Sequence, residues 1–198
     1  MSAGWKPSWF YHAVRRLALA ALHRLWEVRV SGLEHLPPAG RLIVAANHCS
    51  WMDPVLVGLT VSRVRSPRFL AKEELFRNLL AAWLFRHCGV ISLTRGRGDV
   101  SAMRSALEVL EAEGCMVLFP EGTRSRTGVP LRPKPGLGFL ARRARVPVVP
   151  ARVWNTERFP ARMPLRIKFG PPLRFEGGDD SKSYQAFADR VMETVFRL

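Results

Sequence analysis

The segment Asn47-His48-Cys49-Ser50-Trp51-Met52-Asp53 sets an imidazole and a carboxylate five residues apart, directly after an apolar run at Leu42–Ala46. On a straight helix that spacing leaves the two side chains about 140° apart, so they meet only if His48 sits in a turn and Asp53 in the first turn of a following helix. Paired in that way, Asp53 accepts a hydrogen bond from one ring nitrogen and leaves the other as a base for a substrate hydroxyl. The same residues also suit a local role: Ser50 and Asp53 fit a helix-capping pair, and Asp53-Pro54 is a favourable helix start.

A second segment, Phe119-Pro120-Glu121-Gly122-Thr123-Arg124-Ser125-Arg126, again follows an apolar run. Gly122 lets the backbone approach a ligand, the Thr123 hydroxyl and free N–H groups can donate to anionic oxygens, and two arginines supply charge-assisted bonds. This suits a phosphate cradle, and equally an ordinary basic surface turn. Glu121 is an acid beside arginines, placed either to orient them or to bind a polar substrate.

Both segments need a scaffold that delivers them to one place. Candidate strands lie at Leu42–Ala46, Arg68–Ala71, Val90–Leu93, Met116–Phe119, Val148–Val153 and Arg166–Phe169. Helical patterns fall between several of them, at Leu75–Phe85, Val100–Glu113, Leu137–Arg145 and Ser181–Phe196; Asp99 is placed to cap the second and Gly114 to end it. The alternation predicts a single α/β domain over 28–198, with a mixed, mostly parallel sheet covered by helices. In such sheets reactive groups gather past the strand ends, where both segments stand.

Ahead of it, residues 1–27 predict an amphipathic helix. Phe10, Val14, Leu17, Ala18, Ala21, Leu22 and Leu25 share one face, His12, Arg15, Arg16 and His23 the other, and Trp5, Trp9, Tyr11 and Trp26 flank the stripe. Basic residues with tryptophan suit a membrane interface; the apolar stripe alone suits packing on the protein's own domain.

Composition narrows the choice of partner. The chain has 198 residues and 31 Lys+Arg against 16 Asp+Glu, a formal charge of +15 that attracts polyanions such as an anionic bilayer. The basic residues are dispersed, and no RNA-binding signature or zinc-finger spacing appears, which argues against nucleic acid. Charged residues interrupt every apolar stretch short of the ~20 residues a membrane span requires. The three cysteines, Cys49, Cys88 and Cys115, have neither disulfide-framework nor metal-ligand spacing and read as reduced thiols, which with the lack of a secretory signal predicts an intracellular location.

The two chemical segments resemble the H-x-x-x-x-D and F-P-E-G-T-R-S motifs of the glycerolipid acyltransferases. Gly89-Val90-Ile91-Ser92-Leu93-Thr94-Arg95 and Val146-Pro147-Val148-Val149-Pro150 match two further blocks in the same order, from about Val28 to Pro172. One departure is Thr94, where many relatives carry Asp before the arginine. Another is the lack of a spanning segment, which leaves anchoring to the N-terminal helix.

The resemblance implies transfer of a fatty acyl chain from acyl-CoA or acyl carrier protein, as co-substrate, to the free hydroxyl of lysophosphatidate, with neither metal nor other cofactor. It implies His48 as general base and Asp53 as its partner. Glu121, Gly122, Thr123 and Arg124, with Arg95 and Lys72, then serve the substrate phosphate. The protein would act peripherally at the cytoplasmic face of the cell membrane. Other lysophospholipids or glycerol 3-phosphate present the same groups as acceptors. Leu75, Leu79, Leu80, Trp83, Leu84 and Phe85 could line an acyl groove, although core packing accounts for most such residues. Two rivals remain: a hydrolase in which the same base activates water, and a non-catalytic basic module that binds membrane.

Overall fold

All five residues of the apolar run Leu42–Ala46 are buried, as befits a strand covered on both faces at the centre of a sheet. The computed structural model describes residues 5–93, 98–125 and 129–198. Its seven strands are β1 (Val28–Ser31), β2 (Leu42–Ala46), β3 (Pro67–Lys72), β4 (Val90–Leu93), β5 (Cys115–Leu118), β6 (Val148–Trp154) and β7 (Leu165–Phe169). They lie in the order β1-β7-β6-β2-β5-β3-β4. The run from β6 to β4 is parallel, β7 is antiparallel to β6, and β1 is parallel to β7. The fold is thus a single α/β domain with a mixed, mostly parallel sheet, as the alternating pattern predicts.

Among the described residues six α-helices accompany it: α1 (Trp9–Leu25), α2 (Asp53–Val61), α3 (Leu79–His87), α4 (Gly98–Glu111), α5 (Gly136–Ala144) and α6 (Ser181–Arg197). On one face of the sheet, Leu56, Val57 and Val61 of α2 and Leu22 of α1 pack against Val44, Ala46, Val153 and Ile167. On the other, Leu110 of α4, Leu140 of α5 and Val191 of α6 pack against Ile43, Ala45 and Val148. The alternation of buried positions along β2 divides its side chains between these two cores.

Most boundaries fall within two residues of expectation, and three departures have physical causes. The helix expected over Leu75–Phe85 is split into a 3-10 turn at Glu73–Phe76 and α3, because Asn78 Oδ1 accepts from the N–H groups of Leu80 (2.9 Å) and Ala81 (3.1 Å) and starts a new helix. The helix expected at Val100–Glu113 begins at Gly98 and ends at Glu111; Glu113, not Gly114, takes the left-handed conformation (φ 58°). Gly114 is needed for close approach instead, since a Cβ there would lie 2.6 Å from Val109 Cγ1 and 2.7 Å from the Val109 carbonyl oxygen. Strand β1 was absent from the expected set; four residues with alternate burial at a sheet edge give little pattern to read.

The N-terminal helix does pack on its own domain. Tyr11 and Leu22, about 20° apart around a helix, are buried, and Arg15 Nη1 donates to the Ser62 carbonyl beyond α2 at 3.1 Å. This buried line is rotated from the expected stripe, so Leu17 and Leu25 are exposed. Phe10 meets Trp83 of α3 edge-on at 4.6 Å, joining α1 to α3. Core packing does not account for Leu75, Leu79, Leu80 and Trp83: all are exposed, Leu79 by 88%. Among the described residues no helix is long and apolar enough to cross a membrane.

Candidate active site

The chain leaves β2 at Ala46 and turns before α2 starts at Asp53, which is the arrangement that lets residues five apart meet. His48 Nδ1 lies 2.8 Å from Asp53 Oδ2. The same oxygen accepts from the backbone N–H of Cys49 (2.6 Å) and of Ser50 (2.7 Å). The second oxygen, Oδ1, accepts from the Thr156 hydroxyl. Asp53 is fully buried, and these donors, with its place in the first turn of α2, offset the desolvation of its charge. Ser50 and Asp53 do pair at the entry to α2: Ser50 Oγ accepts from the Met52 N–H at 3.1 Å while Asp53 accepts from the Ser50 N–H, so the same carboxylate orders the turn and holds His48, with Met52 at the N-cap position itself.

An ionised carboxylate only accepts, so Nδ1 carries the proton and Nε2 keeps a lone pair. Nε2 has no hydrogen-bond partner among the described residues, and the ring is held from one side by Phe119, stacked at 4.3 Å and 25°. An imidazole so oriented can accept a proton from a hydroxyl placed at Nε2.

The loop after β5 stands beside this turn because β5 is the neighbour of β2. Glu121 Oε1 accepts from the His48 N–H at 3.2 Å, and the Ser125 N–H donates to the His48 carbonyl at 2.8 Å. Glu121 is itself buried; burial first, and the charge of Asp53 to a lesser degree, push its carboxyl above the ordinary glutamate value, while the His48 N–H opposes that shift. Its carboxylate faces inward, whereas Gly122, Thr123 and Arg124 are open to solvent. Gly122 holds a positive φ of 71°. Lys72 closes β3, the next strand over, and is exposed. Arg95 and Arg126 lie outside the described residues. His48, Asp53, Glu121 to Arg124 and Lys72 thus follow or end three adjacent parallel strands at their C-terminal ends.

Three neighbours escaped the sequence reading. Asn47 ties β2 to β6: its Nδ2 donates to the Val153 carbonyl (3.2 Å) and its Oδ1 accepts from the Val153 N–H (2.8 Å). Lys134 lies across Gly122, with Cε 2.8 Å from where a Cβ there would stand, adding a cation to the loop. Thr156 follows β6, where Asn155 turns the chain through a left-handed conformation (φ 67°) into a 3-10 turn. A hydroxyl just past a strand end was the one signal available for Thr156. Cys49 is no ready nucleophile, because burial pushes its thiol up to about 12. Among the described residues no group of three His, Cys, Asp or Glu side chains could hold a metal ion.

Known proteins resemble this chain over most of its length. Residues 27–154 match the acyltransferase family model. The chain is 35% identical over 204 residues to the 1-acyl-sn-glycerol-3-phosphate acyltransferase alpha of Homo sapiens, covering 93% of this chain and 69% of that one. It is 27% identical over 157 residues to the 1-acyl-sn-glycerol-3-phosphate acyltransferase of Streptococcus pneumoniae, covering 77% and 55% respectively. Among solved structures, the crystal structure of the 1-acyl-sn-glycerophosphate acyltransferase PlsC from Thermotoga maritima superposes with a TM-score of 0.73 at 29% identity, over 94% of this chain and 77% of that one. With a family match that spans the sheet from β1 to β6 and both chemical segments, the chain belongs to the acyltransferase family and is an acyl-transferring enzyme.

Proposed function

We propose that this enzyme transfers a fatty acyl chain from acyl-CoA or acyl carrier protein to the free hydroxyl of lysophosphatidate, giving phosphatidate for phospholipid biosynthesis. The observation that carries the reading is the 2.8 Å pairing of His48 Nδ1 with Asp53, which leaves Nε2 facing no protein partner among the described residues. Nε2 takes the proton of the acceptor hydroxyl as that oxygen attacks the thioester carbonyl. The new C–O bond forms, the C–S bond breaks, and the departing thiolate takes the proton back from the imidazolium. Asp53 stabilises that imidazolium, and a base so positioned contributes typically ~10²–10⁴-fold. The thioester supplies its own leaving group, so these steps call for no cofactor beyond the donor.

Arg124, Lys72 and Arg95, with the open backbone of Gly122 and the Thr123 hydroxyl, bind the phosphate of the acceptor and orient its hydroxyl. Glu121 serves this loop from inside by anchoring it to His48. The substrates named for the human and streptococcal relatives support lysophosphatidate as acceptor. Residues 1–27 and α3 dock the enzyme peripherally on the cytoplasmic face of the cell membrane: Trp9 and Leu17 of α1 and Leu79, Leu80 and Trp83 of α3 are exposed, Phe10 against Trp83 joins the two helices, and the chain has a formal charge of +15.

The test is thiol release from a long-chain acyl thioester with and without lysophosphatidate, for the intact protein and His48→Ala. Release that requires both acceptor and His48 is the expected result. Release without acceptor would move the assignment to hydrolysis, and no release with any acceptor would leave a binding module.

A further inference from the structure

The pairing with His48 occupies only one oxygen of the Asp53 carboxylate. Oδ2 takes His48 and the two backbone N–H groups of the turn, while Oδ1 accepts from Thr156, 103 residues away in the chain. Thr156 is fully buried. Valine matches threonine in shape, so packing alone asks for no hydroxyl here. The hydroxyl is also the direct hydrogen bond to the one carboxylate oxygen that the turn leaves over.

We propose that Thr156 is a positioning residue for acyl transfer: its hydroxyl fixes the rotation of the Asp53 carboxylate and, through it, the orientation of the His48 imidazole. This rests on His48 being the base. The direction of each proton follows from chemistry. Threonine has one O–H, the carboxylate only accepts, and the proton therefore points to Asp53. Thr156 Oγ1 is then an acceptor for Cys49, whose Sγ lies 3.3 Å from it and 3.8 Å from Oδ1. Burial keeps that thiol protonated at neutral pH, so it can donate. A one-way chain results, from the Cys49 S–H to the Thr156 O–H to Asp53, which in turn accepts the His48 Nδ1–H, and each donor polarises the next. Without the hydroxyl, Oδ1 would be a buried charged acceptor with no strong donor. The donors on Oδ2 hold one end of the carboxylate, and the Thr156 hydroxyl holds the other; because the carboxylate torsion is broad, losing that hydroxyl lets Oδ1 tilt and alters how Oδ2 meets the ring.

The experiment compares Thr156→Val, Thr156→Ala and Thr156→Ser in the wild-type and Asp53→Asn backgrounds, with His48→Ala as the reference and thermal melting to monitor folding. Thr156→Val and Thr156→Ala are expected to lower kcat roughly 10- to 100-fold, the usual effect of losing an outer hydrogen-bond partner, with KM for both substrates changed less than about twofold. Thr156→Ser, which restores a hydroxyl, should recover most of kcat. In the Asp53→Asn background, Thr156→Val should cost less than about twofold more, because its effect runs through the carboxylate. Equal damage by Ser and Val, a full additional loss in the Asp53→Asn background, a kcat within twofold of wild type, or failure of both Val and Ala variants to fold would overturn the proposal. If His48→Ala stays active, the reading of His48 as base fails first; if His48→Ala is inactive while Thr156→Val is unaffected, only the role of Thr156 fails.

Discussion

Glu121 holds His48 by the backbone: Oε1 accepts from the His48 N–H at 3.2 Å, and nothing joins the two side chains directly. With the Ser125 N–H on the His48 carbonyl at 2.8 Å, the loop after β5 grips His48, two residues past β2, through both backbone polar groups. The loop that bears Arg124 and the turn that bears the imidazole are therefore one mechanical unit. A phosphate held by that loop is held in register with the base.

That relationship separates two substitutions at one position. Glu121→Gln keeps an oxygen for the His48 N–H, whereas Glu121→Ala leaves it without an acceptor, at about 1–3 kcal/mol, or roughly 10- to 100-fold in kcat if the loss falls on the placement of the base. Steady-state kinetics should show Gln retaining most of kcat and Ala losing it, with KM for the acceptor little changed in Gln. An equal rise in acceptor KM for both variants would mean instead that the charge of Glu121 binds substrate.

The same carboxyl makes stability depend on pH. Burial raises its folded-state value above the ordinary one, and Oε2 is buried without a well-formed hydrogen bond among the described residues. A carboxyl that binds its proton more tightly in the folded state favours folding below its ordinary range, and that contribution is lost as pH rises through the raised value. The melting temperature of wild type minus that of Glu121→Gln should thus fall as pH is raised from about 4 toward neutrality. A difference that grows over this window would contradict the burial argument.

How much of this was readable beforehand depended on sequence distance. His48 and Asp53 are close in the chain, and the apolar run before them and the Asp53-Pro54 helix start after them constrain the turn between, so their meeting could be anticipated. Thr156 with Asp53 and Asn47 with Val153 join segments 103 and 106 residues apart, and they exist only because β6 pairs with β2 in a particular register. No spacing rule carries that information. The split at Asn78 was missed because a 3-10 turn and the start of α3 together mimic one apolar helical period. The buried line of α1 differs from the expected stripe because apolar side chains occupy most of its circumference, and tertiary contact decides which are covered: Leu22 joins the core with α2, and Tyr11 meets Trp5 edge-on at 5.4 Å.

Gly138 tests the packing behind the site. It lies on α5 where α6 crosses closely, and a Cβ there would fall 2.3 Å from the Tyr184 carbonyl oxygen and 2.5 Å from Tyr184 Cα. Backbone atoms cannot swing aside as a side chain can, so α5 and α6 must separate. Gly138→Ala should destabilise the fold by about 1–3 kcal/mol despite the better helix propensity of alanine. Denaturant unfolding measures this; an unchanged or raised midpoint would show that the two helices slide apart freely.

The apolar face of α1 and α3 offers the clearest separation between membrane docking and chemistry. Leu79 and Leu80 are 88% and 73% exposed, and Trp83 connects them to Phe10 of α1. Because the two leucines contribute little to the core, replacing both with serine should change stability by about 0.5 kcal/mol or less at each position. Each leucine that enters a bilayer interface removes apolar area from water at roughly 25 cal/mol per Å², so losing both weakens docking without touching His48. Vesicle co-sedimentation with anionic phospholipid should show binding of Leu79→Ser/Leu80→Ser reduced about tenfold or more, with activity on monomeric short-chain substrate retained. Wild-type affinity in the double variant would show that this face does not meet lipid and that dispersed basic charge alone brings the enzyme to the surface, in which case binding would collapse with added salt in both proteins alike.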